Sequence, residues 1–483
     1  MRRRPQGRRE IMLVSARWSA LRAPTDGRSR RLLTLAVFAL VLAFAGGASR
    51  FDEDQQAIVR MAAICVLLIS LWSLDLAPLL RQPALLLAGL AAYLLLLLQL
   101  IPLPPALWAG LPGRGPYAAI AAEAGAVGWR PLSLTPDLTL NALYALLPAT
   151  AAAVAALYLD TRQRIWLARG VVAIAALSAV IGLIQTAAGE GALRLYRITS
   201  DDAPVGLLAN RNHQAALLSC ALPFVGAVLG AKRRDAGDPR PALVLALGVA
   251  TVLILAIIST GSRMGLGTCL LGSLGGVAAY KRAGRRLLPS RPALRLALAS
   301  AVLLMLGAVT LAAARSGALE RLAHTTRANE TRAAMVEPLL TTTRAFLPFG
   351  SGFGSFDSVF RRFEPNSLLS TIYMNQAHNE PLQLAIEGGL PALLLLAGFL
   401  VWWGRSVPRA LSSKASASAR SLAIGWTAAT VILMVSSLVD YPLRTPLLSA
   451  LFAVACVEIA RLGNRPPDHR RAGEAGRGRG LTT

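Results

Sequence analysis

Long apolar runs recur along the whole chain, and they decide what it can fold into. Crossing about 30 Å of hydrocarbon takes roughly 17–25 mostly apolar residues per helix. About twelve runs meet that length: 32–48, 57–79, 84–101, 138–159, 165–187, 213–231, 241–259, 264–280, 296–313, 388–404, 421–438 and 443–461. In lipid each backbone polar group must be satisfied within its own segment, which selects helices over open strands. The expected fold class is therefore an all-α polytopic membrane protein with about twelve transmembrane helices. Composition agrees: 54% of the 483 residues are apolar and 16% charged, where a soluble domain carries about a quarter charged residues.

One stretch is too long for a single crossing. Leu243 to Tyr280 as one helix would reach about 57 Å, twice the bilayer. The polar segment Ser259-Thr260-Gly261-Ser262-Arg263 predicts the turn of a hairpin there. The first run follows Arg28, Arg30 and Arg31 but lacks a convincing small-residue cleavage site, so it is expected to be a retained helix.

The net charge of +25 invites a nucleic-acid reading, which fails once the charges are located. With the Arg-rich start placed in the cytoplasm, roughly two-thirds of the Lys and Arg fall on cytoplasmic segments, and the acidic residues lean outward. The charge is a topology signal: both termini cytoplasmic, no nucleic-acid partner, and at most a surface attraction to anionic membrane lipid. Cys65, Cys220, Cys269 and Cys456 all fall within runs, with neither metal spacing nor a disulfide framework.

This divides the chain into a basic cytoplasmic tail (1–31), N-terminal transmembrane helices (32–199), a second transmembrane region (200–461) and a disordered cytoplasmic tail (462–483). The external side carries three longer pieces: 102–137, 188–212 and 314–386. When everything else spans the membrane, function tends to sit in such loops.

Four polar sites stand out. His378 lies in a cluster with Asn379, Glu380, Gln383 and Glu387 just before a run, and histidine is the side chain best poised for proton transfer near neutral pH. Arg263 interrupts the most apolar stretch; the bland alternative is a snorkelling anchor. Arg211 stands among Asn210, Asn212 and His213 at the external mouth of the sixth run, and Arg444 follows Asp440 in the last external turn. An Asp440–Arg444 pair is the purely structural alternative there. The topology puts all four at one face and one depth. A cationic ring with a histidine fits a lipid-linked phosphate, which the guanidinium fork binds bidentately.

Two other features carry less. Gly350-Ser351-Gly352-Phe353-Gly354 follows no strand, so it does not fit a dinucleotide fingerprint. Asp52-Glu53-Asp54 and Asp201-Asp202 read as solvated loop charges.

The segments 206–213 (Gly-Leu-Leu-Ala-Asn-Arg-Asn-His), 259–263, 348–356 (Pro-Phe-Gly-Ser-Gly-Phe-Gly-Ser-Phe), 378–391 and 437–444, with Arg332, resemble those of the O-antigen ligase and polymerase family. The resemblance spans about residues 200–450; Pro381 and Ala392 depart from its usual pattern. It implies an inverting, metal-independent integral-membrane glycosyltransferase of the bacterial inner membrane that uses no cofactor. The donor would be an undecaprenyl-diphosphate-linked glycan, and the acceptor a glycan or lipid A core, with 314–386 as the large periplasmic loop holding the active site. By motif match His378 is the family's loop histidine, and Arg211 and Arg263 its diphosphate-binding arginines, helped by Arg332 or Arg444; Glu380 and Glu387 are runner-up bases. A transporter or flippase of lipid-linked glycan is the rival. It would put ionisable residues near mid-span or broken helices in two halves, and apart from boundary residues such as Asp75 and Arg169 few occur.

Overall fold

The computed structural model describes residues 27–72, 75–160, 162–188, 191–200, 203–230, 240–283, 334–369, 374–412 and 416–464. They are mostly helical. The helices used below are α1 (Gly27–Ala45), α2 (Gln55–Leu71), α3 (Pro83–Gln99), α4 (Pro136–Ala145), α5 (Leu147–Leu157), α6 (Arg164–Ala188), α7 (Arg211–Gly230), α8 (Arg240–Ser259), α9 (Arg263–Arg282), α10 (Val336–Phe346), α11 (Glu380–Ala410), α12 (Ala417–Ser437) and α13 (Pro446–Gly463). A two-residue antiparallel ribbon pairs β1 (Pro102–Leu103) with β2 (Arg130–Pro131).

Every apolar run among the described residues overlaps a helix, and the run 296–313 lies outside them. Among the described residues, five spans are by length and composition long and apolar enough to cross a membrane: Pro136–Leu157, α6, α11, α12 and α13. Gln55–Leu71, Pro83–Gln99 and Leu243–Ser259 are shorter apolar helices. Two run boundaries shift. The second helix stops at Leu71 rather than at 79, and α11 starts at Glu380, well before the apolar run at 388. The early start follows from chemistry that hydropathy does not register: the Asn379 side chain caps the helix by accepting from Leu382 N at 2.9 Å, and Pro381 sits in its first turn.

The expected turn at 259–263 is present, with Gly261 at φ +63° and the Ser262 side chain accepting from Gly265 N at 3.0 Å to start α9. Yet α9 packs chiefly on α7 and α12 rather than on α8. Its small residues explain this. A Cβ on Gly272 would lie 2.4 Å from Ser219 O, and one on Gly265 2.6 Å from Ala215 Cβ. Gly272 and Gly276 thus let two backbones approach as small residues do between membrane helices. Ser219 and Thr268 hydroxyls bond across the seam at 3.1 Å. α7 is the central helix, buried from His213 to Phe224, and its apolar circumference suits a helix surrounded by helices.

A second, smaller core lies outside the apolar bundle. Met335, Leu339, Phe346, Phe356, Val359, Phe360 and Ile386 pack together, joining the described part of the long loop to the segment 102–137. Arg114 stitches the two: its guanidinium donates to Leu132 O at 2.6 Å and Gly350 O at 3.0 Å, and it lies over the Phe346 ring. Burial pushes its pKa down to about 10.

α11 is broken at Gly388-Gly389, where Gly389 takes φ 61°, ψ −153°, a region that essentially only glycine visits. Pro391 brings no N–H to the carbonyl of Glu387, and Leu390 N turns away to Pro348 O at 2.8 Å. The Gly-rich loop repairs the gap. Ser351 N donates to Ile386 O at 2.8 Å and Gly352 N to Glu387 O at 2.9 Å, while Gln99 Nε2 from α3 adds a third bond to Glu387 O at 2.9 Å. The N–H groups of Ser351 and Gly352 are thus spent on the kink.

Two predictions follow. In a cysteine-free background, Ala124→Cys in the lobe formed by 102–137 should react with an impermeant thiol reagent in intact cells, and Ser418→Cys should not. Reverse labelling would invert the topology derived from the charge bias. Gly389→Ala should destabilise by about 2 kcal/mol or more in thermal unfolding, because its Cβ would lie 2.1 Å from Pro348 O. Gly398→Ala on the same helix, with open space around its Cβ, should change stability by less than about 1 kcal/mol.

Candidate active site

Four helices begin at one face: α7, α9, α11 and α13. Their N-terminal positions carry Arg211, Arg263, Glu380 and Pro446, and side chains at these helix starts bond across to one another. Asn210 Oδ1 accepts from Asn212 N at 2.7 Å, the local turn that launches α7. Asn212 Oδ1 in turn accepts from the Ser262 hydroxyl at 2.8 Å. The turn that carries Arg263 is thereby fastened to the turn that carries Arg211.

Asp440, in the α12–α13 connection, is the centre of this face and is fully buried. Its Oδ2 accepts from Asn212 Nδ2 at 2.7 Å and Asn210 Nδ2 at 3.4 Å; its Oδ1 accepts from Tyr441 N at 3.0 Å. The same Oδ1 lies 3.2 Å from His378 Nδ1 and 3.9 Å from His213 Nε2. Burial alone drives a carboxyl pKa upward; the His378 bond, the neighbouring imidazoles and the Asn212 amide outweigh it and hold Asp440 below the usual carboxylate range. An ionised carboxylate only accepts hydrogen bonds. His378 must therefore present Nδ1–H to it, which leaves the other ring nitrogen, Nε2, outside this bond. With 30% of its side chain exposed, His378 remains open to solvent while its orientation is fixed.

His378 itself sits at φ +49°, a left-handed conformation that costs a non-glycine residue about 1–3 kcal/mol. Its neighbours impose it. Ala377 N donates to Gln383 Oε1 at 3.0 Å, and Asn379 Nδ2 ties the segment to Leu438 O at 3.0 Å. The Tyr441 ring lies edge-on to both His378 and His213, with centroids 4.9 Å and 5.3 Å away. Burial beside Asp440 pushes its phenol upward, so it stays protonated.

The structure corrects several pairings. Asp440 and Arg444 do not pair: Arg444 Nη2 reaches Glu387 Oε2 at 3.1 Å, and Asp440 takes His378 instead. Glu387 is fully buried and committed, also accepting from Gln383 Nε2 at 3.1 Å and Phe356 N at 3.3 Å. Gln383 also donates to Gln376 Oε1. Glu380 Oε1 accepts from Leu443 N at 3.1 Å, bracing α11 against the turn that carries Arg444. His213 is not solvent-facing but fully buried, with Nδ1 3.0 Å from Thr445 Oγ1. Glu53 is buried rather than solvated, unlike Asp52, which pairs with Arg50 and Arg197. Arg332 and the Asp201-Asp202 pair lie outside the described residues.

Arg211 is half-buried and Arg263 exposed, and the Asn212–Ser262 bond holds their turns side by side. Four members of the arrangement escaped sequence reasoning: Tyr441, Thr445, Gln99 and Arg114. Gln99 alone left a local signal, a lone amide closing the apolar run of α3.

Residues 247–397 match the family model of the O-antigen ligase. The chain carries an O-antigen ligase domain. The match takes in Arg263, His378, Glu380, Gln383 and Glu387, whereas Arg211, Asp440 and Arg444 lie beyond its limits and join the site through geometry. No curated protein matches the chain. The match covers about a third of the chain, and together with the long apolar helices it fits a multi-pass membrane protein with an O-antigen ligase-like region.

A prediction tests the hub. Asp440→Ala and Asn212→Ala should each destabilise, Asp440→Ala by about 3 kcal/mol, since buried donors lose their acceptor. Their double-mutant cycle in thermal unfolding should show coupling of about 1 kcal/mol or more. Additive losses would mean the two side chains do not act through one bond.

Proposed function

We propose that the chain transfers a glycan from undecaprenyl diphosphate to an acceptor hydroxyl at the external face of the bacterial inner membrane, with inversion at the anomeric carbon. The observation that carries this reading is the Asp440–Asn212–Ser262 network, which sets an oriented histidine beside two arginine-bearing turns.

In this mechanism His378 Nε2 accepts the proton of the acceptor hydroxyl as its oxygen attacks the anomeric carbon. The bond from that carbon to the diphosphate oxygen breaks, and the electron pair leaves with the diphosphate. Arg211 and Arg263 take up the growing negative charge, aided by the positive ends of α7 and α9. Asp440 holds the imidazole in the needed tautomer and stabilises the imidazolium, without itself taking the proton. Because the diphosphate already leaves readily, charge neutralisation and positioning matter more than a strong acid. Fixed guanidinium groups can serve where other enzymes use a cation, and among the described residues no three His, Cys, Asp or Glu side chains gather as ligands. Arg444, paired with Glu387 through Nη2, adds positive charge for the diphosphate at the same face. The acceptor is either a growing glycan or lipid A core. Deletion distinguishes them: loss of a polymerase leaves single repeats attached, and loss of a ligase leaves none.

The test uses the purified full chain in lipid nanodiscs and an undecaprenyl-diphosphate glycan. His378→Ala should lower the transfer rate about 10²-fold or more while donor binding persists. Arg211→Ala and Arg263→Ala should abolish transfer by losing the donor, with Arg263→Lys only partly active, since a point charge cannot reproduce the fork. Activity should survive EDTA. Full activity in Arg263→Ala would sink the diphosphate role; EDTA sensitivity would sink metal independence.

A further inference from the structure

A polar cavity of about 530 Å³ opens at the end of the bundle opposite the His378 face. Arg461 on its wall lies fifteen residues along α13 from Pro446, about 22 Å at helical rise. Three further arginines line it: Arg31 at the start of α1, Arg81 before α3 and Arg164 at the first position of α6; the lining holds one carboxylate, Asp75.

The walls are built, not incidental. Arg461 donates Nη1 to Ala156 O and Nη2 to Leu159 O, both at 2.7 Å, so its guanidinium closes the C-terminus of α5. Arg164 and Arg461 flank the buried Glu458, each at 3.8 Å. Arg31 lies over the Tyr158 ring and donates to Tyr158 O at 3.2 Å, while Tyr158 Oη donates to Asp75 O at 2.5 Å. Four guanidinium groups face two carboxylates, and the positive end of α6 adds to the excess.

What this excess would bind is indicated by its neighbour. An almost wholly apolar cavity of about 420 Å³ begins one residue further along α1, at Leu32, and two further along α6, at Trp166, and runs between these helices as far as Leu42 and Ile174. An arginine-lined chamber beside an apolar groove that opens between membrane helices has the chemistry of a phospholipid: an oxyanion for the fork, a chain for the groove. A free phosphate would use only the first.

We propose that this end of the bundle binds an anionic phospholipid, its phosphate among Arg31, Arg81, Arg164 and Arg461 and an acyl chain between α1 and α6. The site is separate from the glycan-transfer reading and stands or falls without it.

The experiment is lipid retention by the purified full chain, read by native mass spectrometry after titration with phosphatidylglycerol, phosphatidylethanolamine or inorganic phosphate. Phosphatidylglycerol should be retained over phosphatidylethanolamine. Arg81→Gln and Arg31→Gln should each weaken it about tenfold or more, the scale of a lost charge-assisted bond. Gly170→Phe should weaken it as well, because Gly170 lines the groove and a Cβ there meets nothing within 4 Å, so the ring enters the chain's space without a clash. Arg164→Gln is avoided, since it would strand Glu458. Unchanged melting temperatures in the three variants separate lost binding from lost folding. Equal retention of the two lipids, or full retention by the arginine variants, would overturn the proposal. Displacement by millimolar inorganic phosphate with no effect of Gly170→Phe would overturn the lipid and leave a free-anion site.

Discussion

A single buried carboxylate organises the end of the bundle where α7, α9, α11 and α13 begin. Removing Asp440 from water is costly unless every lone pair finds a donor, and the donors come from three separate parts of the chain: Asn210 and Asn212 before and within α7, His378 before α11, and the Tyr441 backbone in its own turn. Satisfying the charge and assembling the site are thus one event. The geometry also fixes the orientation of the histidine, because an acceptor-only partner takes the N–H of one ring nitrogen.

The hub would have nothing to hold if the helices beneath it stood at ordinary separation. Glycines at 265, 272 and 276 bring α9 backbone against α7, and this close seam lets a short serine side chain, Ser262, reach Asn212. A longer gap would leave Arg263 on a different part of the surface. Helix packing therefore sets the spacing of the two turns that carry Arg211 and Arg263, and it does so with residues that carry no charge at all.

The helices were legible because bilayer thickness imposes a length and lipid imposes apolarity, so the runs announce themselves. The candidate site positions stood out for the converse reason: His378, Arg263 and Arg211 are expensive at the edge of such runs. Their partners were not. A carboxylate four residues from an arginine suggests a local pair, yet Asp440 joins a histidine 62 positions away and Arg444 a glutamate 57 away. Burial decided both, and burial depends on which helices meet, something hydropathy leaves open. Glu53, Arg114 and Gln99 were missed likewise, since a charged or amide side chain alone does not say whether it faces water or a carbonyl.

The break in α11 has a consequence for how the protein can be altered. The loop at 348–352 supplies the hydrogen bonds that the helix gives up at Gly389 and Pro391, and α3 contributes Gln99 to the same carbonyl. Loop and helix are therefore not separable modules, and the smallest transplantable piece includes the end of α3 and the segment at Ser133 and Leu134 as well, where Ser133 N donates to Gln99 O and Leu134 N to Ser351 O, both at 2.9 Å. A chimera that borrowed a relative's external loop alone would carry an unmated backbone into the apolar bundle. Variation in glycan or acceptor preference is better sought at side chains on the loop's outer surface than by exchange of the loop itself.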